Sequence, residues 1–287
     1  MVHSFPTRRS SDLTINSSIT HNTIVGGTFG ILGSAQSYSG VTVNAGNMTI
    51  AYNDISQSDS RNIYLIAGLM GGTGSASLSG VTIDHNELTD DQSSITVRQY
   101  TATGATVSEV DITNNIINIS NPTADGSAVD LRDVHGDSLF QNNTINLTGT
   151  IGGGGTAFNG LSISNGYGTT GNWTLDNNQI DLNGVGSASA AVRLQTSLTS
   201  SSTIDLTRNT LSDAAYGVLT TGGANVNIGG PAAADGNTIT GMSVAGISVV
   251  GPDATVKIEY NDLAGNQVGI ITSLTSSSTI DLTRNTL

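Results

Sequence analysis

Ten asparagines divide this chain into intervals too regular to be accidental. The motif apolar-x-apolar-x-x-Asn-x-(Ile/Leu) recurs at Asn22, Asn53, Asn86, Asn115, Asn143, Asn178, Asn209, Asn237, Asn261 and Asn285, with spacings of 24 to 35 residues. Two residues after each asparagine stands Ile or Leu: Ile24, Ile55, Leu88, Ile117, Ile145, Ile180, Leu211, Ile239, Leu263 and Leu287. Three residues before stand Ile19, Ile50, Ile83, Ile112, Phe140, Leu175, Leu206, Ala234, Ile258 and Leu282. Once in every interval a small residue precedes alternating aliphatics, beginning at Ile31, Ile63, Ile95, Val129, Leu161, Val192, Val218, Ile247 and Ile270. The alternation has the strand period of two, and no helical period appears. One such unit cannot bury its apolar edge alone; stacked copies build a continuous core.

Two physical reasons favour asparagine at the repeat. A sharp bend between strands wants a residue at positive φ, which Asn tolerates better than other non-glycine residues. Coils stacked about 4.8 Å apart also bring equivalent amides within reach of one another. The ten positions are therefore read as a structural ladder, with no catalytic role. Ten rungs give a rod roughly 48 Å long.

Composition narrows the alternatives. Only 11% of residues are charged, against about 25% in ordinary domains, which excludes long charged helices and coiled coils. A formal charge of −13 argues against nucleic acid and anionic membranes as partners. With no cysteine, disulfides, thiolate metal sites and cysteine nucleophiles are excluded. No histidine pair has zinc spacing, and neither a metal nor a cofactor is expected. A propeller blade needs about 40 to 50 residues per repeat, more than these intervals hold.

These features resemble the right-handed parallel β-helix family, which includes pectate lyases, polygalacturonases, bacterial surface adhesins and autotransporter passengers. The likeness spans residues 14–287 and is densest from Asn225 to Ile239 and from Gly246 to Leu263. It implies an all-β right-handed parallel β-helix (solenoid) of about ten coils, open at both ends, in an extracellular or cell-surface setting. Residues 1–13 stand apart: the stretch from Ser4 to Leu13 resembles a translated sequencing adapter and is set aside as artefactual. Residues 196–211 recur unchanged as 272–287, by duplication or assembly error. Open strand edges at the two ends invite end-to-end self-association.

The resemblance also directs attention to the outer face of one sheet. Positions one and three past each aliphatic start form two outward columns. The first runs Leu32, Tyr64, Thr96, Asp130, Ser162, Arg193, Leu219, Ser248, Ile271; the second runs Ser34, Ile66, Arg98, Arg132, Ser164, Gln195, Thr221, Val250, Ser273. Of seven basic residues beyond position 13, Arg98, Arg132 and Arg193 lie on this strip, with Tyr100 just past it. One reading is a shallow groove for an acidic polysaccharide or cell-surface glycan, formed by Arg98, Tyr100, Asp130, Arg132, Arg193 and Gln195, with the arginines forking onto carboxylate or sulfate. The other is a solvated face where Arg132 pairs with Asp130 or Asp133. The favoured function is a non-enzymatic stalk or adhesin-like segment. The alternative is a polysaccharide lyase or glycoside hydrolase, but Asp130, Asp133 and Asp137 share one coil, where a hydrolase needs carboxylates converging across neighbouring rungs.

Overall fold

The computed structural model describes residues 13–37, 41–69, 74–90, 92–101, 103–165, 170–196, 203–222, 225–251, 255–274 and 278–287. Of the adapter-like stretch, only Leu13 falls among them, opening the first strand; the remainder lies outside the described residues.

Each coil repeats one path: a long strand, a bend at asparagine, a short strand, a turn, and a third strand. The first coil runs Leu13–Thr20, Thr23–Val25 and Phe29–Ser37. The second runs Thr42–Ala51, Asp54–Ser56 and Arg61–Leu69. Equivalent strands of successive coils pair in parallel, giving three sheets wrapped around one core, a parallel β-solenoid. The main path of the first sheet has ten strands, the third sheet nine and the second eight. In the last two coils the second sheet shrinks to single bridges, Thr238–Asp262 and Asp262–Thr286. Fewer complete turns therefore exist than the ten expected, since only eight coils carry a strand on every sheet.

The register follows the apolar columns. All nine aliphatic starts of the third sheet lie opposite one another, from Ile31–Ile63 to Ile247–Ile270. On the second sheet the column from Ile55 to Leu263 is at most 1% exposed. Each such side chain contributes about 1.5–3 kcal/mol by leaving water. Trp173, on the first sheet, is likewise 1% exposed. Where glycine precedes a third-sheet start, it has a steric cause. A Cβ on Gly160 would sit 2.4 Å from Ile180 Cγ2, and one on Gly217 would sit 2.2 Å from Ile239 Cγ2.

The asparagine ladder is continuous through all ten positions. At every step the backbone N–H and the Nδ2 of one asparagine both donate to the Oδ1 of the next, at 2.8–3.1 Å. The second Nδ2 hydrogen of each later asparagine reaches back to a carbonyl of the preceding coil, as Asn143 Nδ2 does to Ile112 O at 2.8 Å. Inside the ladder every amide atom is thus satisfied, the condition burial imposes.

Two expectations are corrected here. The left-handed residue is the one before the ladder asparagine: His21, Tyr52, His85, Asn114, Asn142, Asn177, Arg208, Tyr260 and Arg284 all have φ between 52° and 58°. Each costs about 1 kcal/mol of strain, and the bend turns the following amide inward onto the stack. Ala234 is also not the stacking residue of its coil. Ile228 pairs with Leu206 and Ile258 instead, because residues 230–235 are inserted before Asn237 and carry a short 3₁₀ turn, Ala233–Asp235.

The left-handed residues form an outer ridge. Tyr52 stacks between His21 and His85 at 5.0 and 4.9 Å; Asn177 donates to Asn142, and Asn142 to Asn114. Two carboxylates brace it. Asp84 accepts from Thr113 Oγ1, Asn114 Nδ2 and His85 Nδ1, and Asp176 accepts from Gln141, Thr207 and Arg208. Burial pushes both carboxyls up, but those hydrogen bonds outweigh it and hold them below the usual range.

Asn143→Ala should cost about 3 kcal/mol, because it removes the acceptor of both Asn115 donors, and Asn178 Oδ1 and Ile112 O each lose a donor. Asn142→Gly, which keeps the left-handed bend on the exposed ridge, should cost under about 1 kcal/mol; urea unfolding of both variants checks the contrast. Because Asp84 and Asp176 bind protons more weakly folded than unfolded, their stabilisation is present above the unfolded carboxylate pKa and lost as pH falls through the folded one. Asp111, raised chiefly by burial, acts in the opposite sense. Melting temperature should therefore fall below about pH 4, and the Asp84→Asn/Asp176→Asn double variant should flatten that acid limb.

Candidate functional site

The outer face of the third sheet gathers the side chains singled out in the sequence, and its register follows from the stacked aliphatic starts. Along the two outward columns Tyr64 lies opposite Thr96, Thr96 opposite Asp130, and Arg98 opposite Arg132. Asp130 continues to Ser162 and then Arg193, and Arg132 continues to Ser164 and then Gln195. Arg193 and Gln195 are thus separated from the Asp130–Arg132 coil by a rung of two serines, an axial gap of about 10 Å.

The first outward column is less open than its alternation implies. Tyr64 is 9% exposed, Thr96 1% and Asp130 7%, because long arginine side chains lie across them. Arg61 reaches over the neighbouring coil, its Nε donating to Thr96 Oγ1 at 2.8 Å and its guanidinium lying 5.0 Å from the Tyr64 ring centroid. Arg98 lies 5.3 Å from the Tyr64 ring and 5.1 Å from that of Tyr100. Tyr64 further stacks on Phe29 at 5.2 Å. Cation–π contacts of this kind contribute about 0.5–2 kcal/mol, more where water is displaced.

The arginines of the strip differ in how their charge is met. Arg132 is tied to Asp130, with Nε 2.8 Å from Oδ2 and a terminal nitrogen 2.6 Å from the same oxygen. That hydrogen bond, reinforced by charge, raises the Arg132 pKa above its usual value. The solvated-face reading therefore describes Arg132, and its fork is occupied. Arg61, Arg98 and Arg193 have no carboxylate partner among the described residues, and the Nε atoms of Arg98 and Arg193 are buried without an acceptor. Tyr100 is 57% exposed and presents its ring beside Arg98. A chain of net charge −13 thus displays one face carrying four arginines, of which three have no carboxylate partner among the described residues.

Arg61 escaped the sequence reading. It is the first residue of its strand, opposite Phe29 and Ser93, two before the aliphatic start, where alternation assigns an inward side chain. Its long stem instead runs out over the sheet. His135 lies beyond the strip; burial lowers its pKa, which the charge of Asp133 partly opposes. No group of three or more histidine or acidic side chains able to hold a metal occurs among the described residues.

Neither a family profile, nor a curated protein, nor a solved structure matches the chain.

Proposed function

We propose that this β-solenoid is a non-enzymatic, acidic-glycan-binding segment of a bacterial surface or secreted protein, a stalk or adhesive passenger of the pectate-lyase-like β-helix type. One observation carries the reading: Arg98 is held between Tyr64 and Tyr100 with no carboxylate of its own, beside the largely exposed Tyr100 ring. A uronic acid or sulfated sugar offers both complements, a ring face for Tyr100 and an anion for the guanidinium. Arg61 extends the basic surface one coil further, and Arg193 and Gln195 form a second, separate contact about 10 Å from Asp130–Arg132 along the rod. Binding is favoured over lyase or hydrolase chemistry by the pairing of Asp130 with Arg132, which engages the carboxylate that catalysis would use.

Retention on immobilised polyuronate or sulfated glycan should fall at least about tenfold in Arg61→Ala/Arg98→Ala, since each charge-assisted bond contributes about 1.5–3 kcal/mol. Tyr100→Ala should weaken it less, and circular dichroism should remain unchanged in both. Equal retention by the double-arginine variant removes the glycan reading. Incubation with pectin, alginate or chondroitin, with and without Ca²⁺, should release no unsaturated products or new reducing ends; their appearance establishes the enzymatic alternative.

A further inference from the structure

At the entrance to the arginine-bearing sheet, one corner of the core is polar. The residue before each third-sheet start points at the second sheet. A Cβ on Gly30, Gly160 or Gly217 would meet Ile55, Ile180 or Ile239 of the following coil at 2.2–2.4 Å. Small apolar residues fill this column in most coils, as at Ala128 and Ala191. Two neighbouring coils depart from it. Asn62 stands between Gly30 and Ser94, one residue before the paired starts Ile31, Ile63 and Ile95. Asn62 and Ser94 are both 0% exposed.

The second sheet changes in step. Its inward residue at this corner is aliphatic in the fourth and fifth coils, where Ile119 pairs with Leu147. In the third coil that place is taken by Asp90, opposite Ile119. In the second coil the chain bends at left-handed Gln57, φ 57°, and buries Ser58 at 1% exposure. Ser58 Oγ lies 3.3 Å from the position a Gly30 Cβ would take, so it points into the same corner.

Neither amide atom of Asn62 has a hydrogen-bond partner among the described residues, nor has the Oγ of Ser58 or of Ser94. Left dry, each atom would bear the full cost of losing its water. Native cores rarely hold one such group, and here four share a corner. Their partner must both donate and accept. Asn62 Oδ1 needs a donor, Nδ2 needs an acceptor, and the hydroxyls serve as either. A cation would set a positive charge against the Nδ2 hydrogens, and an anion would set a negative one against Oδ1. Water meets both, and buried water typically makes about three bonds to groups of this kind.

We infer that Asn62, Ser58 and Ser94 form an enclosed water-binding site, in which ordered water bridges the asparagine amide to the serine hydroxyls. The joint departure from alanine and glycine follows. Alone, each polar side chain would be a buried unpaired group; together they share one partner.

A high-resolution crystal structure of the full chain should show ordered density within about 3.2 Å of an Asn62 amide atom and of at least one of the two hydroxyls. No density there, or a peak ringed by oxygens at about 2.3–2.6 Å as a cation requires, overturns the inference. Stability gives a second reading through its sign. Asn62→Leu keeps the size of the side chain. In a dry corner it removes two unpaired polar atoms and raises the urea midpoint. In a hydrated corner it takes the water's main anchor from both serines, and the midpoint should fall by about 0.5 M. Adding Ser58→Ala and Ser94→Ala should then recover part of that loss, because the stranded hydroxyls go with them. A raised midpoint in Asn62→Leu, or losses that simply add in the triple variant, overturns the shared site.

Discussion

An asparagine Oδ1 that accepts two hydrogen bonds from the coil before it is the interaction on which the rest of this molecule depends. It fixes where each coil bends, because the backbone N–H that donates is the one turned inward by a left-handed residue immediately upstream. It also fixes register. A slip by one residue would place an aliphatic side chain against the amide column and leave several buried polar groups unpaired, each costing about 1–3 kcal/mol. The strain of a left-handed Tyr52, Arg208 or Tyr260 is tolerated since the ladder over-determines those positions.

From that register the arginine-bearing outer face follows without further design. Once Ile63, Ile95, Val129 and Leu161 are aligned inside, the residues one and three places later must form straight columns outside. Arginines scattered at intervals of more than thirty residues thereby become near neighbours. What each then does depends on its company. Arg132 has an aspartate two residues away on its own strand and turns onto it. Arg98 has no such neighbour and lies against aromatic rings. The same rod in an acidic chain can thus carry one locally basic surface.

The solenoid was legible because its signal repeats. Every predicted start of the third sheet sits in register, and every ladder asparagine bonds to the next. Other features were opaque for physical reasons. The bend residue is chemically diverse, including His, Tyr, Asn and Arg, since its side chain projects outward and only its backbone is constrained. Ile228 is hidden by the six-residue insertion at 230–235, which places it nine residues before Asn237. Arg61 was missed because a long, flexible side chain at a strand entrance need not obey the alternation that governs the strand interior. The covering of Tyr64 and Thr96 likewise depends on side chains from adjacent coils, which a single-strand pattern does not register.

The most direct test of the ladder is hydrogen exchange of the asparagine backbone amides, resolved residue by residue by NMR. If their protons are held by amide oxygens inside the stack, those of Asn86, Asn115, Asn143, Asn178 and Asn209 should exchange only through global unfolding, as slowly as any amide in the protein. Exchange at those five sites orders of magnitude faster than in the adjoining strands would mean that the column is not formed, and the account built on it would fail.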